Sequence, residues 1–144
     1  MVSIRPMTAG DVPATQELLL QLGYPLSSEE LKQRYEAVAG AANHTIMLAE
    51  QAGRVVALCH VYARPALDKP PEAIVQALVV DRASRGRGMG KIMMMAVETW
   101  ARDRGFTSVA LTSSVTRAEA HAFYEAIGYQ RAATSHMFRK HLGG

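Results

Sequence analysis

The segment LVVDRASRGRGMG, residues 78–90, decides how this chain is interpreted. It begins inside an almost uninterrupted apolar run, residues 73–80, in which Gln76 is the only polar side chain. Such a run is typical of a strand that is covered on both faces of a sheet. After the segment come apolar residues at helical spacing, namely Ile92, Met93, Ala96, Val97 and Trp100. The segment is therefore predicted to be the turn between a buried strand and a helix over residues 89–104.

The composition of this turn indicates an anion-binding site. Glycines let the backbone curl so that successive N–H groups converge, and the N-terminus of the following helix adds the positive end of its dipole. The glycines are Gly86, Gly88 and Gly90, and the cationic side chains beside them are Arg85, Arg87 and Lys91. The turn is predicted to hold a phosphate or a pyrophosphate.

Two familiar phosphate-binding turns do not match the spacing. A Walker A loop needs a glycine where Arg85 stands and a hydroxyl where Ile92 stands. A dinucleotide fingerprint that starts at Gly86 needs its last glycine at Lys91, and no acidic residue is well placed about twenty positions later. The remaining pattern is Arg-x-x-Gly-x-Gly, filled by Arg85, Gly88 and Gly90.

This pattern, preceded by LVVD at residues 78–81, resembles the pyrophosphate motif of the GCN5-related N-acetyltransferases. Residues 120–129, AHAFYEAIGY, resemble the second signature of that family, at the expected distance downstream. The opening Ile4-Arg5-Pro6 before a capped helix is similar to the family's start. The resemblance therefore covers essentially the whole chain, and two spaced motifs make coincidence a poor explanation.

The remaining elements predict an α/β protein with a mixed sheet. A strand over residues 2–7 is followed by a helix that ends at Gly23 and by a second helix, to about residue 39, opened by a capping box from Ser27 to Glu30. Strands over residues 44–50 and 54–63 flank a hairpin turn at Gly53.

The second half of the chain adds the parallel part of the sheet. The strand at 73–80, the helix at 89–104 and a strand at 109–112 form a βαβ unit, in which the two strands are parallel. A helix over about 117–127 and a strand around 135–140 complete the chain. We expect a single domain, residues 1–144, with a twisted sheet of antiparallel and parallel strands flanked by helices on both faces. The family resemblance implies that the central parallel strands splay apart.

Composition excludes several other classes of protein. The net charge is only +3, and the one cluster of arginines, around residues 82–87, is not the basic stripe of a nucleic-acid binder. No apolar run reaches the ~18 residues of a membrane span. The lone Cys59 excludes an internal disulfide framework, and the five histidines lack the helical spacing of a metal site. With no apolar signal core at the start, the cytoplasm is the expected location.

The resemblance implies acetyl-CoA as the co-substrate, with its pyrophosphate on the turn amides and its pantetheine arm paired with the edge of the preceding strand. No metal is expected. The residues that the resemblance assigns to this cofactor are Leu78, Val79, Val80, Arg85, Gly86, Arg87, Gly88, Met89, Gly90, Lys91, Arg117, Ala120, Phe123 and Tyr124. Many relatives carry asparagine where Arg117 stands, so its contact is implied less directly.

Tyr124 matches the family tyrosine that lies near the thioether sulfur and protonates the departing thiolate. Many relatives also carry a glutamate in the middle of the strand before the turn, where this chain has Gln76, which cannot act as a base. Glu72 is the candidate base, and the alternatives that stay open are His121, His60 or a chain of water molecules.

The expected function is transfer of an acetyl group from acetyl-CoA to a primary amine of a small molecule, by direct attack in a ternary complex. Residues 23–35 and 135–138 are expected to line the acceptor pocket by analogy with relatives. Two alternatives stay open: an acyl-CoA-binding regulatory module without turnover, and an acetyltransferase of protein lysines or N-termini. A homodimer is also left open.

Overall fold

The computed structural model describes residues 1–144 and divides into two compact units, Met1–Thr112 and Ser113–Gly144. The elements of the first unit are β1 (Val2–Pro6), α1 (Val12–Leu22), α2 (Ser28–Ala39), β2 (His44–Gln51), β3 (Arg54–Arg64), β4 (Glu72–Val80), α3 (Met89–Asp103) and β5 (Val109–Leu111). Short 3-10 turns precede α1 and α3, at Ala9–Asp11 and Arg82–Ser84. The second unit contains α4 (Ala118–Ala126). That residues 1–144 form one domain stays a prediction.

The first unit is built on a five-stranded sheet in the order β1-β2-β3-β4-β5. Neighbouring strands from β1 to β4 are antiparallel, whereas β4 and β5 are parallel, which confirms the predicted mixed sheet. The predicted hairpin is also confirmed: Ala52 and Gly53, between β2 and β3, both have positive φ, 51° and 75°. Two consecutive left-handed residues form the type of turn that matches the twist of the flanking strands.

Helices cover both faces of this sheet. On one face, Leu18 of α1 and Leu31 of α2 belong to a core cluster with Leu48, Leu58 and Val79 of the central strands. Four consecutive residues of β3, 56–59, are buried. Because successive side chains of a strand point to opposite faces, this run shows that the other face is covered as well.

α3 covers the second face and contacts β3 and β4. Its buried side chains include Met93, Met94 and Val97. The predicted apolar stripe included Ile92, which is 39% exposed, and the structure buries Met94 in its place. Methionines fill the space beneath this helix, because the unbranched thioether adapts to irregular gaps.

The predicted helix ends are confirmed where local chemistry sets them. Ser27 and Glu30 form the capping box, with the Glu30 N–H donating to Ser27 Oγ at 3.1 Å and the Ser27 N–H donating to Glu30 Oε1 at 3.0 Å. Gly23 ends α1 in a left-handed conformation with φ 107°. Such reciprocal bonds satisfy backbone donors that a helix start leaves unpaired.

The strand predicted around residues 135–140 is wrong. Residues 130–144 contain no helix or strand, and the side chains of Met137 and Phe138 are 80% and 90% exposed. A strand is stabilised by hydrogen bonds to a neighbour, and no strand of the sheet pairs with this segment. No helix of the chain is long and apolar enough to cross a membrane.

Candidate active site at the glycine turn

The glycine turn joins the end of β4 to the start of α3, as predicted. Gly86 and Gly88 are left-handed, with φ 80° and 78°, and an added Cβ at either position meets no atom within 4 Å. Gly90 differs, since it lies in the first turn of α3. A conformational requirement for glycine therefore exists at Gly86 and Gly88 but not at Gly90.

The turn contains a run of backbone N–H groups that lack hydrogen-bond acceptors. The first backbone bond of α3 runs from the Ile92 N–H to the Gly88 carbonyl at 3.0 Å, and the N–H groups of residues 86–91 have no acceptor in the protein. Most of this stretch is exposed, so the donors are open to a ligand. Unpaired N–H groups at a helix N-terminus, together with the helix dipole, favour an anion.

Gln21 of α1 anchors the start of the turn, and sequence reasoning missed this residue. Its Nε2 donates to Asp81 Oδ1 at 2.9 Å, and its Oε1 accepts from the Arg82 N–H at 2.8 Å. The Ser84 N–H donates to the Asp81 carbonyl at 2.8 Å. Gln21 and Asp81 are 60 residues apart in the chain, so no local pattern could have indicated the contact.

The side chain of Arg85 is hydrogen-bonded to the backbone just before the turn. Its Nε donates to the Val80 carbonyl at 3.0 Å, which links the first arginine of the motif to the end of β4. The side chains of Arg87 and Lys91 are exposed, and neither forms an ion pair within the protein. The mobile positive charge beside the turn therefore comes from Arg87 and Lys91.

An open strand edge leads away from the turn. β5 pairs with β4 only at residues 73–75, so the rest of β4 has a neighbour on one side, β3. The two parallel strands thus part, as the resemblance implied. A bulge at Gln76 marks the point of separation, because His60 pairs with Ala77 and Val61 pairs with Val75.

The backbone of β4 directs particular groups to the open edge. The Asp81 N–H donates to the Val56 carbonyl of β3 at 2.8 Å. Backbone groups of successive residues alternate between the two sides of a strand, so those of Leu78 and Val80 point away from β3. Val79 turns its backbone to β3, and its side chain is buried among α1 and α2 residues.

The second signature forms an aromatic cluster in the second unit. On α4 the rings of Phe123 and Tyr124 lie 5.1 Å apart, and the ring of Tyr129 lies 6.0 Å from that of Tyr124. Arg117, the N-cap residue of α4, is exposed, whereas Ala120 is half-buried. These four predicted site residues, Arg117, Ala120, Phe123 and Tyr124, lie within 10 positions of each other on or beside one helix.

The base candidates lie in different environments. Glu72 has both carboxylate oxygens engaged, with Arg64 at 3.1 Å and with Ser108 Oγ at 3.0 Å. His121 Nε2 lies 2.8 Å from the Ser114 carbonyl. His60, half-buried on β3, is hydrogen-bonded to His44. His60 is opposite Ala77, the residue that follows the bulge of β4.

Cys59 is excluded as a nucleophile. Its side chain is fully buried, and burial raises the pKa of the thiol to about 12. The thiolate is the reactive form of cysteine, so this thiol stays unreactive at neutral pH.

Comparison with known proteins agrees with the fold. The chain belongs to the acetyltransferase (GNAT) family, whose model matches residues 12–129. It is an N-acetyltransferase of that family. It is similar to an uncharacterised N-acetyltransferase of Bacillus subtilis, YhdJ, at 27% identity, over 97% of this chain and 99% of the relative.

Three further proteins are similar to this chain. An aminoglycoside N(6′)-acetyltransferase type 1 of Stenotrophomonas maltophilia is 26% identical, over 97% of this chain and 94% of the relative. A solved structure of a putative acetyltransferase from Agrobacterium tumefaciens has a TM-score of 0.86 at 27% identity, over 96% of this chain and 99% of that one. The aminoglycoside N-acetyltransferase AAC(6′)-Iy, solved in complex with CoA, has a TM-score of 0.88 at 19% identity, over 97% of this chain and 95% of that one, and it shows the shared fold.

Proposed function

We propose that this protein transfers the acetyl group of acetyl-CoA to a primary amine of a small molecule, by direct attack in a ternary complex. The observation that carries the proposal is the run of unpaired N–H groups at residues 86–91, beside the open edge of β4. The first feature suits a diphosphate, and the second suits an extended amide-containing arm.

The turn would hold the pyrophosphate mainly through its backbone. Hydrogen bonds to charged groups contribute about 1.5–3 kcal/mol each, so a few of these donors suffice for firm binding. Arg87 and Lys91 would add charge, while Arg85 keeps the turn fixed to Val80. Gln21 contributes by holding Asp81 and Arg82, which reduces the ordering that binding would otherwise require.

The pantetheine arm would continue along β4. The Val80 N–H and both backbone groups of Leu78 face the open edge and are the partners for its amides, since the Val80 carbonyl already accepts from Arg85. An arm that starts at the turn and follows these two residues leads to the bulge at Gln76. The reactive end of the donor is therefore proposed to lie beside this bulge.

The chemistry needs positioning more than covalent catalysis. Acetyl-CoA supplies an acyl group already activated as a thioester. Holding the amine and the carbonyl in one cleft contributes ~7 kcal/mol or more to lowering the barrier. Cys59, buried and protonated, offers no acyl-enzyme route. Tyr124, which matches the family tyrosine, is proposed to give its hydroxyl proton to the departing sulfur.

The acceptor is proposed to be a small amine, with aminosugars the first class to test. The support is the similarity to the aminoglycoside N(6′)-acetyltransferase of Stenotrophomonas maltophilia over 97% of this chain. Residues 23–35 and 135–138 remain the predicted lining of the acceptor pocket. In the structure residues 24–27 join α1 to α2 as a loop, the kind of segment in which relatives vary specificity.

A panel of amines with acetyl-CoA, read by release of free thiol, tests the proposal. Aminoglycosides, polyamines, aminoalkylphosphonates and lysine peptides should be compared, and we expect saturable turnover with a small amine. Turnover with peptides alone would favour a protein acetyltransferase. Binding of acetyl-CoA with no acceleration by any amine would favour the regulatory module.

A thermal-shift comparison identifies the ligand of the turn before any acceptor is known. A ligand at one hundred times its Kd stabilises the folded protein by about 2.7 kcal/mol. Acetyl-CoA is expected to raise the Tm, whereas ATP and NAD at the same concentration should raise it less. An equal or larger shift with ATP would contradict the proposed donor.

A further inference from the structure

A histidine pair lies on the sheet face that α1 and α2 cover. His44 Nδ1 and His60 Nε2 are 2.9 Å apart, on the adjacent strands β2 and β3. The ring of His44 stacks on that of Tyr62, with centroids 4.9 Å apart and an interplanar angle of 13°. Both histidines are half-buried. Hydrogen bonding on one side and stacking on the other fix the orientation of the His44 ring.

The pair lies beside the point where β4 parts from β5. His60 is opposite Ala77, the residue after the bulge at Gln76, and His44 is opposite Tyr62. Side chains at every second position of a strand share a face, so His60 and Tyr62 lie on the same face as Leu58, which packs against α1 and α2. This is the face from which the segment between α1 and α2 is proposed to admit the acceptor.

We propose that His60 is the general base for the acceptor amine and that His44 is its positioning residue. The inference rests on the proposed acetyl transfer. Nε2–H of His60 donates to Nδ1 of His44, and this tautomer leaves the lone pair of His60 Nδ1 for the substrate. A ring whose second nitrogen is held in this way presents a fixed base.

The proton balance of this step is simple. His60 Nδ1 takes one proton from the substrate ammonium, and the freed lone pair forms the C–N bond to the acyl carbon. The C–S bond breaks, and the sulfur takes the second proton of the nitrogen, delivered by way of Tyr124 or water. His60 then loses its proton to water, so the net products are the amide, the free thiol of CoA and one proton.

The electrostatic surroundings favour neutral His60. Burial, followed by the charge of His44, lowers the pKa of His60 below its usual 6.5. The facing residues of β4, Ala77 and Ile74, are apolar, and the ring of Tyr62 lies 6.3 Å from that of His60. Farther along the strands, Arg64 and Glu72 pair with each other at 3.1 Å.

This environment predicts a pH dependence. A base must be unprotonated, so kcat/KM should fall as the pH falls through the pKa of His60. Because that pKa is lowered, the fall should lie below pH 6.5. An NMR titration of the imidazole signals should place the pKa of His60 below 6.5.

Substitution with glutamine provides the decisive test. His60→Gln keeps an N–H donor near His44 but cannot take a proton, and kcat/KM for the best amine should fall about a hundredfold or more, with the Kd for acetyl-CoA unchanged. The matched control is His141→Gln, an exposed histidine outside the proposed site, which should leave both constants unchanged. His44→Gln removes the charge that His44 carries when it is protonated, so the acid limb of the pH profile should move to higher pH.

The outcomes separate the two proposals. If the wild-type protein acetylates an amine and His60→Gln does so at the same rate, the base assignment is overturned while the proposed function stands. If His60→Gln fails to fold, the pH profile of the wild-type enzyme decides instead. The base assignment is overturned if kcat/KM already falls above pH 6.5, or if His44→Gln does not shift the pH at which it falls. If the wild-type protein acetylates no amine, the proposed function itself fails, and the assignment with it.

Discussion

Replacing Gly88 with valine is expected to weaken acetyl-CoA binding about a hundredfold or more and to leave a folded protein. Gly88 has φ 78° at the start of α3, a conformation that β-branched residues rarely adopt. Relaxing this strain would turn the donors of residues 86–91 away from a common ligand. The loss of two charge-assisted hydrogen bonds, about 1.5–3 kcal/mol each, corresponds to at least a hundredfold in Kd. Calorimetric titration measures the effect.

Gly105 is the matched control. It has φ 82°, and an added Cβ meets no atom within 4 Å, as at Gly88. It follows the opposite end of α3, a helix of 15 residues, about 22 Å from the turn. Gly105→Val should cost similar stability in urea unfolding and leave the Kd for acetyl-CoA unchanged. Equal affinity in both variants would show that the turn is not the binding site.

Replacing Tyr124 with phenylalanine is expected to lower kcat about a hundredfold with little change in the Kd for acetyl-CoA. The substitution removes the phenol that would protonate the departing sulfur, and general acid catalysis contributes about 10²–10⁴ in rate. The ring contacts with Phe123 and Tyr129 remain available to phenylalanine. Single-turnover kinetics separate the chemical step from binding.

The control for this variant is its unfolding in urea, because a change confined to proton transfer should leave the free energy of unfolding nearly unchanged. A Tyr124→Phe enzyme with the wild-type kcat would remove the acid role and leave Tyr124 as a packing residue. A parallel loss of stability and of acetyl-CoA affinity would also indicate packing rather than proton transfer.

Local chemistry explains why much of the fold was predictable. The capping box at Ser27, the left-handed Gly23 and the hairpin at Gly53 each depend on neighbouring residues, and the structure confirms all three. The glycine turn also follows a local rule, since a buried apolar run precedes it and an amphipathic helix follows. These elements place the candidate site without any knowledge of distant contacts.

Long-range contacts explain what was missed. Gln21 bonds to Asp81 across the chain, and His44 meets His60 only because β2 and β3 pair in one particular register. Neither contact can be predicted from the spacing of residues along the chain. The prediction of a strand around residues 135–140 was wrong for a related reason. A strand needs a partner strand, and β propensity alone does not provide one.

The central claim is that main-chain N–H groups of residues 86–91 hold the diphosphate of the acyl donor. Titration of ¹⁵N-labelled protein with coenzyme A, followed through the backbone amide signals, tests it most directly. We expect the largest changes in amide chemical shift at residues 86–91, with further changes at Leu78 and Val80 on the edge of β4. Saturable binding that leaves the signals of residues 86–91 in place and perturbs another part of the chain would contradict it.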